Sequence, residues 1–127
     1  MKLKIFQVDA FTDHLFGGNP AAVCPLQEWL PAEKMQQIAM ENNLSETAFF
    51  IPVDDGYELK WFTPVTEVKL CGHATLASGH VLYHHLGYVK PAIRFHSQSG
   101  LLGVEKKDEW LTLNFPTDHL NSVEVPE

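Results

Sequence analysis

The residues best suited to chemistry in this sequence lie at the start of an uncharged segment. Cys71, Gly72 and His73 stand near its beginning, and residues 70 to 89 contain no Asp, Glu, Lys or Arg. The residues from 72 to about 85 are small or apolar on all sides, which is typical of a buried helix. Because the first backbone N–H groups of a helix are unpaired, we predict an anion site at Gly72 and His73.

The residues alone leave several interpretations of these side chains open. His73 could be a structural hydrogen-bonding residue or a neutral proton donor, because the helix dipole disfavours a positive imidazolium there. Cys71 could be a thiolate activated by the helix end or an inert core cysteine. His80 and His84 have zinc-ligand spacing, but a third ligand is not evident and Val81 replaces the glutamate of the HExxH motif. We therefore predict no metal site.

Glu46 is the second candidate for chemistry. It immediately precedes an apolar strand, so we expect its carboxylate to be partly desolvated, which raises a carboxyl pKa. A carboxylate in that condition is suited to general acid and base catalysis near neutral pH. The alternative is a solvated loop glutamate or a helix cap, as most loop carboxylates are surface groups.

The elements that must position these residues form one α+β unit without linkers or repeats. Apolar alternation, turns and helix-start residues predict the boundaries. Strands are expected at residues 3–10, 21–25, 47–53, 57–63, 93–97, 101–105 and 110–115, and helices at residues 31–42 and 72–85. Gly87 is a plausible helix stop. Strands around one apolar helix indicate a curved sheet wrapped around it.

Composition narrows the class of protein. The chain has 127 residues and a net charge of −7, which argues against nucleic acid or anionic membrane as a main partner. Residues 70 to 89 are long enough to span a bilayer but too polar to do so. Two cysteines give no disulfide framework, and residues 1 to 9 lack the apolar core of a signal peptide. We therefore expect a cytoplasmic protein.

Four sequence motifs resemble one known family, in both order and spacing. They are Phe16-Gly17-Gly18-Asn19-Pro20, Ser45-Glu46-Thr47-Ala48-Phe49, Phe62-Thr63-Pro64 and Cys71-Gly72-His73-Ala74-Thr75. Together they resemble PhzF-like proteins, the phenazine-biosynthesis isomerases and their relatives. The resemblance runs from the first strand to nearly the last residue. It implies one lobe of the diaminopimelate-epimerase-like fold, in which a strongly curved mixed or antiparallel sheet wraps a central helix.

The resemblance also implies a function. The PhzF type member isomerises trans-2,3-dihydro-3-hydroxyanthranilate without a metal or organic cofactor. By resemblance, Glu46 is the general acid and base, and His73 is a hydrogen-bonding or proton-relaying group. The substrate carboxylate would lie at Gly72 and His73, with Asn19 and Ala74 as further substrate-binding residues. The expected substrate is therefore a small carboxylate with an acidic C–H bond.

Cys71 keeps an epimerase or racemase as an alternative. By resemblance, Cys71 occupies the position where amino-acid epimerases of this fold carry a catalytic cysteine. Those enzymes need two opposed bases, one on each face of the α-carbon. The PhzF branch works with the glutamate instead. Because the Ser45-Glu46-Thr47 motif is present, we rank isomerase above epimerase.

Length is where the sequence departs from the family. PhzF-like chains have two homologous lobes with the active site in the cleft between them, whereas residues 1–127 match the first lobe only. The chain could be a truncated or vestigial lobe that acts as a non-catalytic binding module. It could instead pair with a separate second lobe, or form a homodimer that imitates the pseudo-two-fold arrangement of the two lobes.

Overall fold

The computed structural model describes residues 3–8, 20–69, 71–107, 110–114 and 122–126. Within these ranges, two helices, α1 and α2, accompany one nine-stranded sheet. The strands are β1 Phe6–Val8, β2 Ala21–Pro25, β3 Glu46–Val53, β4 Gly56–Phe62, β5 Glu67–Val68, β6 Ala92–Ser97, β7 Gly100–Lys107, β8 Trp110–Asn114 and β9 Ser122–Pro126. The helices are α1 Ala32–Asn42 and α2 Gly72–His84.

The sheet is mixed and strongly curled, as expected. Its order is β1-β2-β3-β4-β6-β7-β8-β9, and β5 pairs with β4 beside this path. The pairs β2–β3 and β4–β6 are parallel, and the other pairs are antiparallel. One end of β4 pairs with β5 and its other end pairs with β6. Helix α2 connects those two strands and so forms the crossover that the parallel β4–β6 pair requires.

Helix α2 is the buried helix that the sequence predicts. Residues 74–79, Val81 and Leu82 are all buried. Gly79 allows the helix to lie close to the sheet, because a Cβ atom there would be 2.8 Å from Val104 Cγ1. The chain leaves the helix through Gly87, which has a φ of +75°. The helix itself ends at His84, so the expected stop at Gly87 is correct to within a few residues.

Helix α1 covers the opposite face of the sheet. Side chains that alternate along β3 point to opposite faces: Ala48 and Phe50 pack in the core around α2, whereas Phe49 packs with Met35 of α1. Asn43 ends α1 in the left-handed conformation, with a φ of +52°, and its N–H bonds to the carbonyl of Ala39 at 3.1 Å. This turn directs the chain into the start of β3.

Most predicted boundaries agree with the structure within a few residues. The first predicted strand is shorter, at Phe6–Val8, and residues 9–10 of that prediction lie outside the described residues. The strands β5 and β9 were not predicted. Among the helices that the structure describes, none has the length and apolar character needed to cross a membrane.

Candidate active site

Glu46 and His73 lie side by side although they are far apart in sequence. Glu46 is the first residue of β3, and His73 is the second residue of α2. Glu46 Oε1 lies 2.6 Å from His73 Nε2, and neither atom is accessible to solvent. The side chains as a whole keep 18% and 13% of their surface exposed, respectively. The structure therefore confirms the partial burial of Glu46 and gives it an imidazole partner.

Cys71 lies near the other nitrogen of the same imidazole ring. Its Sγ is 3.6 Å from His73 Nδ1. Burial raises the pKa of the Cys71 thiol to about 12, although the backbone N–H groups of Ala74 and His73 favour the thiolate and act against this. The nearby Glu46 carboxylate adds to the rise in pKa. Cys71 is therefore a protonated thiol at neutral pH, which disfavours the interpretation as an activated thiolate.

Together these residues form what we call the Glu–Cys–His cluster, meaning Glu46, Cys71 and His73. One ligand-type atom from each of the three lies within 4.8 Å of the others. Each group offers a different proton-transfer step. The carboxylate can accept a proton, the imidazole can relay it, and the thiol can donate one. It can also offer oxygen, nitrogen and sulfur to a metal ion, which the sequence did not predict.

A buried hydrogen-bond chain fixes the start of α2. Trp61 Nε1 donates to Thr75 Oγ1 at 3.1 Å, and Thr75 Oγ1 donates to the carbonyl oxygen of Cys71 at 2.7 Å. The chain ties β4 to the residue that precedes the helix. Sequence reasoning gave Trp61 and Thr75 no role, although a buried Trp N–H usually requires an acceptor. A helical Thr hydroxyl can accept that bond while it donates to the carbonyl four residues earlier.

A second contact fixes the start of β3. Asn42 Nδ2 donates to Thr47 Oγ1 at 3.2 Å, and Thr47 is fully buried. Glu46 also lies opposite Ala21 in the parallel pairing of β2 and β3. The backbone of Glu46 is thus held in place by β2 and by the neighbouring Asn42–Thr47 contact.

Two of the remaining predicted site residues, Gly72 and Ala74, lie in the first turn of α2. Gly72 is partly exposed, whereas Ala74 is fully buried, so Ala74 can reach a ligand only through its backbone. The first turn of α2 contains no acidic residue of its own, and the predicted anion site at Gly72 and His73 stays a prediction. Asn19 lies outside the described residues.

The histidines at the other end of α2 do not join the cluster. The rings of His80 and His84 lie 4.4 Å apart between centroids, and the ring of His85 stacks on that of Phe6 at 5.0 Å. His84 and His85 are exposed. The i, i+4 spacing noted in the sequence therefore brings two rings together without bringing in a carboxylate or thiol from the cluster.

Comparison with known proteins agrees with this curled sheet and central helix. The sequence profile of the PhzC-PhzF family, described as phenazine biosynthesis-like protein, matches residues 8–125. The chain belongs to this family, and its fold is the diaminopimelate-epimerase-like fold that the four motifs predicted.

Particular relatives are similar over nearly the whole chain. An uncharacterised isomerase of Pseudomonas aeruginosa is 53% identical over 127 residues, which is 100% of this chain and 49% of that protein. An uncharacterised isomerase of Halalkalibacterium halodurans is 52% identical over 120 residues, covering 93% of this chain and 45% of that protein. This chain therefore spans about half the length of these relatives.

A solved structure shows the same relation. The crystal structure of a phenazine biosynthesis protein of the PhzF family from Enterococcus faecalis superposes with a TM-score of 0.83 and 50% identity. The match covers 89% of this chain and 44% of the other. The architecture described here thus corresponds to a little under half of that protein.

Proposed function

We propose that this chain is a PhzF-like isomerase lobe that transfers a proton on a small carboxylate substrate without a cofactor. The observation that carries the proposal is the partly buried contact between Glu46 Oε1 and His73 Nε2, at 2.6 Å, beside the N-terminus of α2. The names of the isomerase relatives support the same class of reaction.

Each residue of the site has a distinct role in this proposal. Glu46 removes a proton from an acidic C–H bond of the substrate and returns it to another carbon, so that the carboxyl group is regenerated as a carboxylate. His73 orients that carboxylate and can relay the proton through Nε2. The backbone N–H groups of Gly72 and His73 bind the substrate carboxylate, whose charge the helix end stabilises. Partial burial strengthens each of these polar contacts.

The positions of Glu46 and Cys71 favour isomerase over epimerase. A carbon held between two opposed bases, each about 3–3.5 Å away, would separate those bases by roughly 6–7 Å. The ligand-type atoms of Glu46 and Cys71 lie within 4.8 Å of each other and next to the same imidazole. Within one chain they therefore approach a substrate from one side, which does not suit a two-base epimerase.

A complete site needs a second lobe in this proposal. Glu46 and His73 keep part of their surface exposed, and the relatives are about twice as long as this chain. We infer that a separate second lobe, or a second copy of this chain in a two-fold homodimer, covers the Glu–Cys–His cluster. We propose that this assembly is cytoplasmic.

Light scattering at tens of micromolar protein tests the homodimer, and a clean monomer would contradict it. The rival is a vestigial lobe that binds a ligand without catalysis.

Solvent deuterium exchange tests the proposed chemistry. A panel of small carboxylates with acidic C–H bonds is incubated with the protein in D₂O, and loss of the C–H signal is followed by NMR. Glu46→Gln should slow exchange about 100- to 10,000-fold, because it removes the general base. Glu41→Gln, which changes an exposed glutamate in α1, is the matched control and should leave exchange unchanged. Equal exchange rates in the two variants would exclude the role of Glu46.

A further inference from the structure

The Glu–Cys–His cluster combines three kinds of donor atom that zinc prefers. Zinc in proteins is bound by cysteine sulfur, histidine nitrogen and carboxylate oxygen. The cluster offers one of each, and the three atoms lie within 4.8 Å of one another. Two elements hold these donors in place, since Glu46 begins β3 while Cys71 and His73 flank the N-terminus of α2.

The distance between the sulfur and the nitrogen fits a tetrahedral ion. Zn–S bonds of about 2.3 Å and Zn–N bonds of about 2.1 Å place sulfur and nitrogen about 3.6 Å apart at the tetrahedral angle. The observed distance from Cys71 Sγ to His73 Nδ1 is 3.6 Å. These two donors therefore need little rearrangement to share one ion.

Glu46 provides the third donor. Its carboxylate lies beside His73 Nε2 and is close enough to the Cys71 thiol to raise its pKa, so it lies near both of the other donors. The partial exposure of Glu46 and His73 gives an ion a route from solvent and leaves the fourth position open to water.

We propose that the Glu–Cys–His cluster binds a thiophilic divalent cation such as Zn²⁺, with Cys71 Sγ, His73 Nδ1 and a Glu46 carboxylate oxygen as ligands. Binding forms the Zn–S bond and releases the thiol proton to the buffer, so the affinity rises with pH. The bound ion blocks both Glu46 and His73. In an enzyme that uses these residues for proton transfer, it would therefore act as an inhibitor rather than as a cofactor.

Cobalt is the probe that reports the ligands directly. Co²⁺ is titrated into the tag-free chain, and the near-ultraviolet band from thiolate-to-cobalt charge transfer is recorded with the visible bands of tetrahedral cobalt. We expect both sets of bands, and we expect Zn²⁺ to remove them by displacing the cobalt. This readout requires no turnover, so the result is independent of the proposed function.

Variants assign the ligands. Cys71→Ser should abolish the charge-transfer band, and Glu46→Gln should weaken cobalt binding at least about tenfold. Cys24→Ala is the matched control, because Cys24 is buried in the cluster packed against α1 and lies away from the site. It should keep the band, and thermal melting checks that each variant is folded.

Three outcomes would overturn the proposal. The first is a wild-type chain that gives no thiolate band with Co²⁺. The second is a band that survives in Cys71→Ser and disappears in Cys24→Ala. The third is cobalt binding without a thiolate band, which would place the ion at other donors such as the neighbouring rings of His80 and His84.

Discussion

The two ends of helix α2 carry the same kind of residue in different surroundings. At the N-terminal end, His73 lies between a carboxylate and a thiol and is mostly buried. At the C-terminal end, the rings of His80 and His84 contact each other, and His84 and His85 are exposed. The two ends therefore share a residue type and a helix, but the side chains that contact the histidines differ.

The difference comes from the strand that each end meets. The N-terminal end of α2 lies beside the start of β3, where Glu46 stands, and the Trp61–Thr75 hydrogen bond fixes it to β4. The His85 ring at the C-terminal end stacks on Phe6 of β1. A histidine becomes a candidate for catalysis here because a distant strand brings it a carboxylate. The position of a histidine at a helix end would not by itself make it a candidate for catalysis.

The largest expected contrast between the two ends concerns proton transfer. His73→Gln should slow the deuterium exchange described above by about 100-fold, because the imidazole that orients and relays to Glu46 is removed. His84→Gln changes the same residue type at the other end and should leave the rate unchanged. If the same NMR assay shows an equal loss of exchange rate in both variants, then the two ends of α2 do not differ in their role in proton transfer.

The next contrast concerns two buried hydroxyl groups of α2. Thr75→Val leaves the Trp61 N–H without its acceptor, so it should lower the free energy of unfolding by about 1–3 kcal/mol. Ser78→Ala removes a hydroxyl that bonds only within the helix, to the carbonyl of Ala74 at 2.9 Å, and should change stability by less than about 1 kcal/mol. Urea denaturation measures both. A greater loss in Ser78→Ala would show that the Trp61–Thr75–Cys71 chain does not stabilise the site.

The last contrast concerns stability at alkaline pH. Burial raises the pKa of Cys71 from 9.0 to about 12 and that of Cys24 from 9.0 to about 11. Above pH 9.0 the unfolded chain therefore loses thiol protons that the folded chain keeps, and stability falls as pH rises. Cys71→Ser should reduce the slope of the free energy of unfolding against pH by up to about 1.4 kcal/mol per pH unit.

Urea unfolding at several values between pH 9.0 and about 11 measures that slope. His84→Gln is the control from the other end of α2 and should keep the slope of the original chain. If Cys71→Ser keeps the original slope, then burial does not raise the pKa of the Cys71 thiol as described.

Much of this fold follows from local sequence patterns. The uncharged segment from residue 70 to 89 predicted the buried helix, and Gly87 predicted where it stops. The two-residue strand β5 was missed because it is too short to show alternation. Strand β9 pairs with β8 across residues outside the described part of the chain, and no local pattern indicated it.

The candidate site was predictable only in part. The helix end pointed to His73, and the motif around Glu46 identified the carboxylate through the family resemblance. Their contact depends on the pairing of β2 with β3 and on the crossover through α2, which no local pattern encodes. The grouping of Cys71 with Glu46 was not predicted for the same reason, because a distant strand supplies Glu46.

The parallel pairing of β4 with β6 has a consequence for how the chain folds. Helix α2 lies on the connection between the two strands, so the contacts of this pair join residues that are far apart in sequence. Contacts of that kind slow folding, because the entropy of closing a long loop is lost before they form. His73 lies on this connection, so we expect its contact with Glu46 to appear late in refolding.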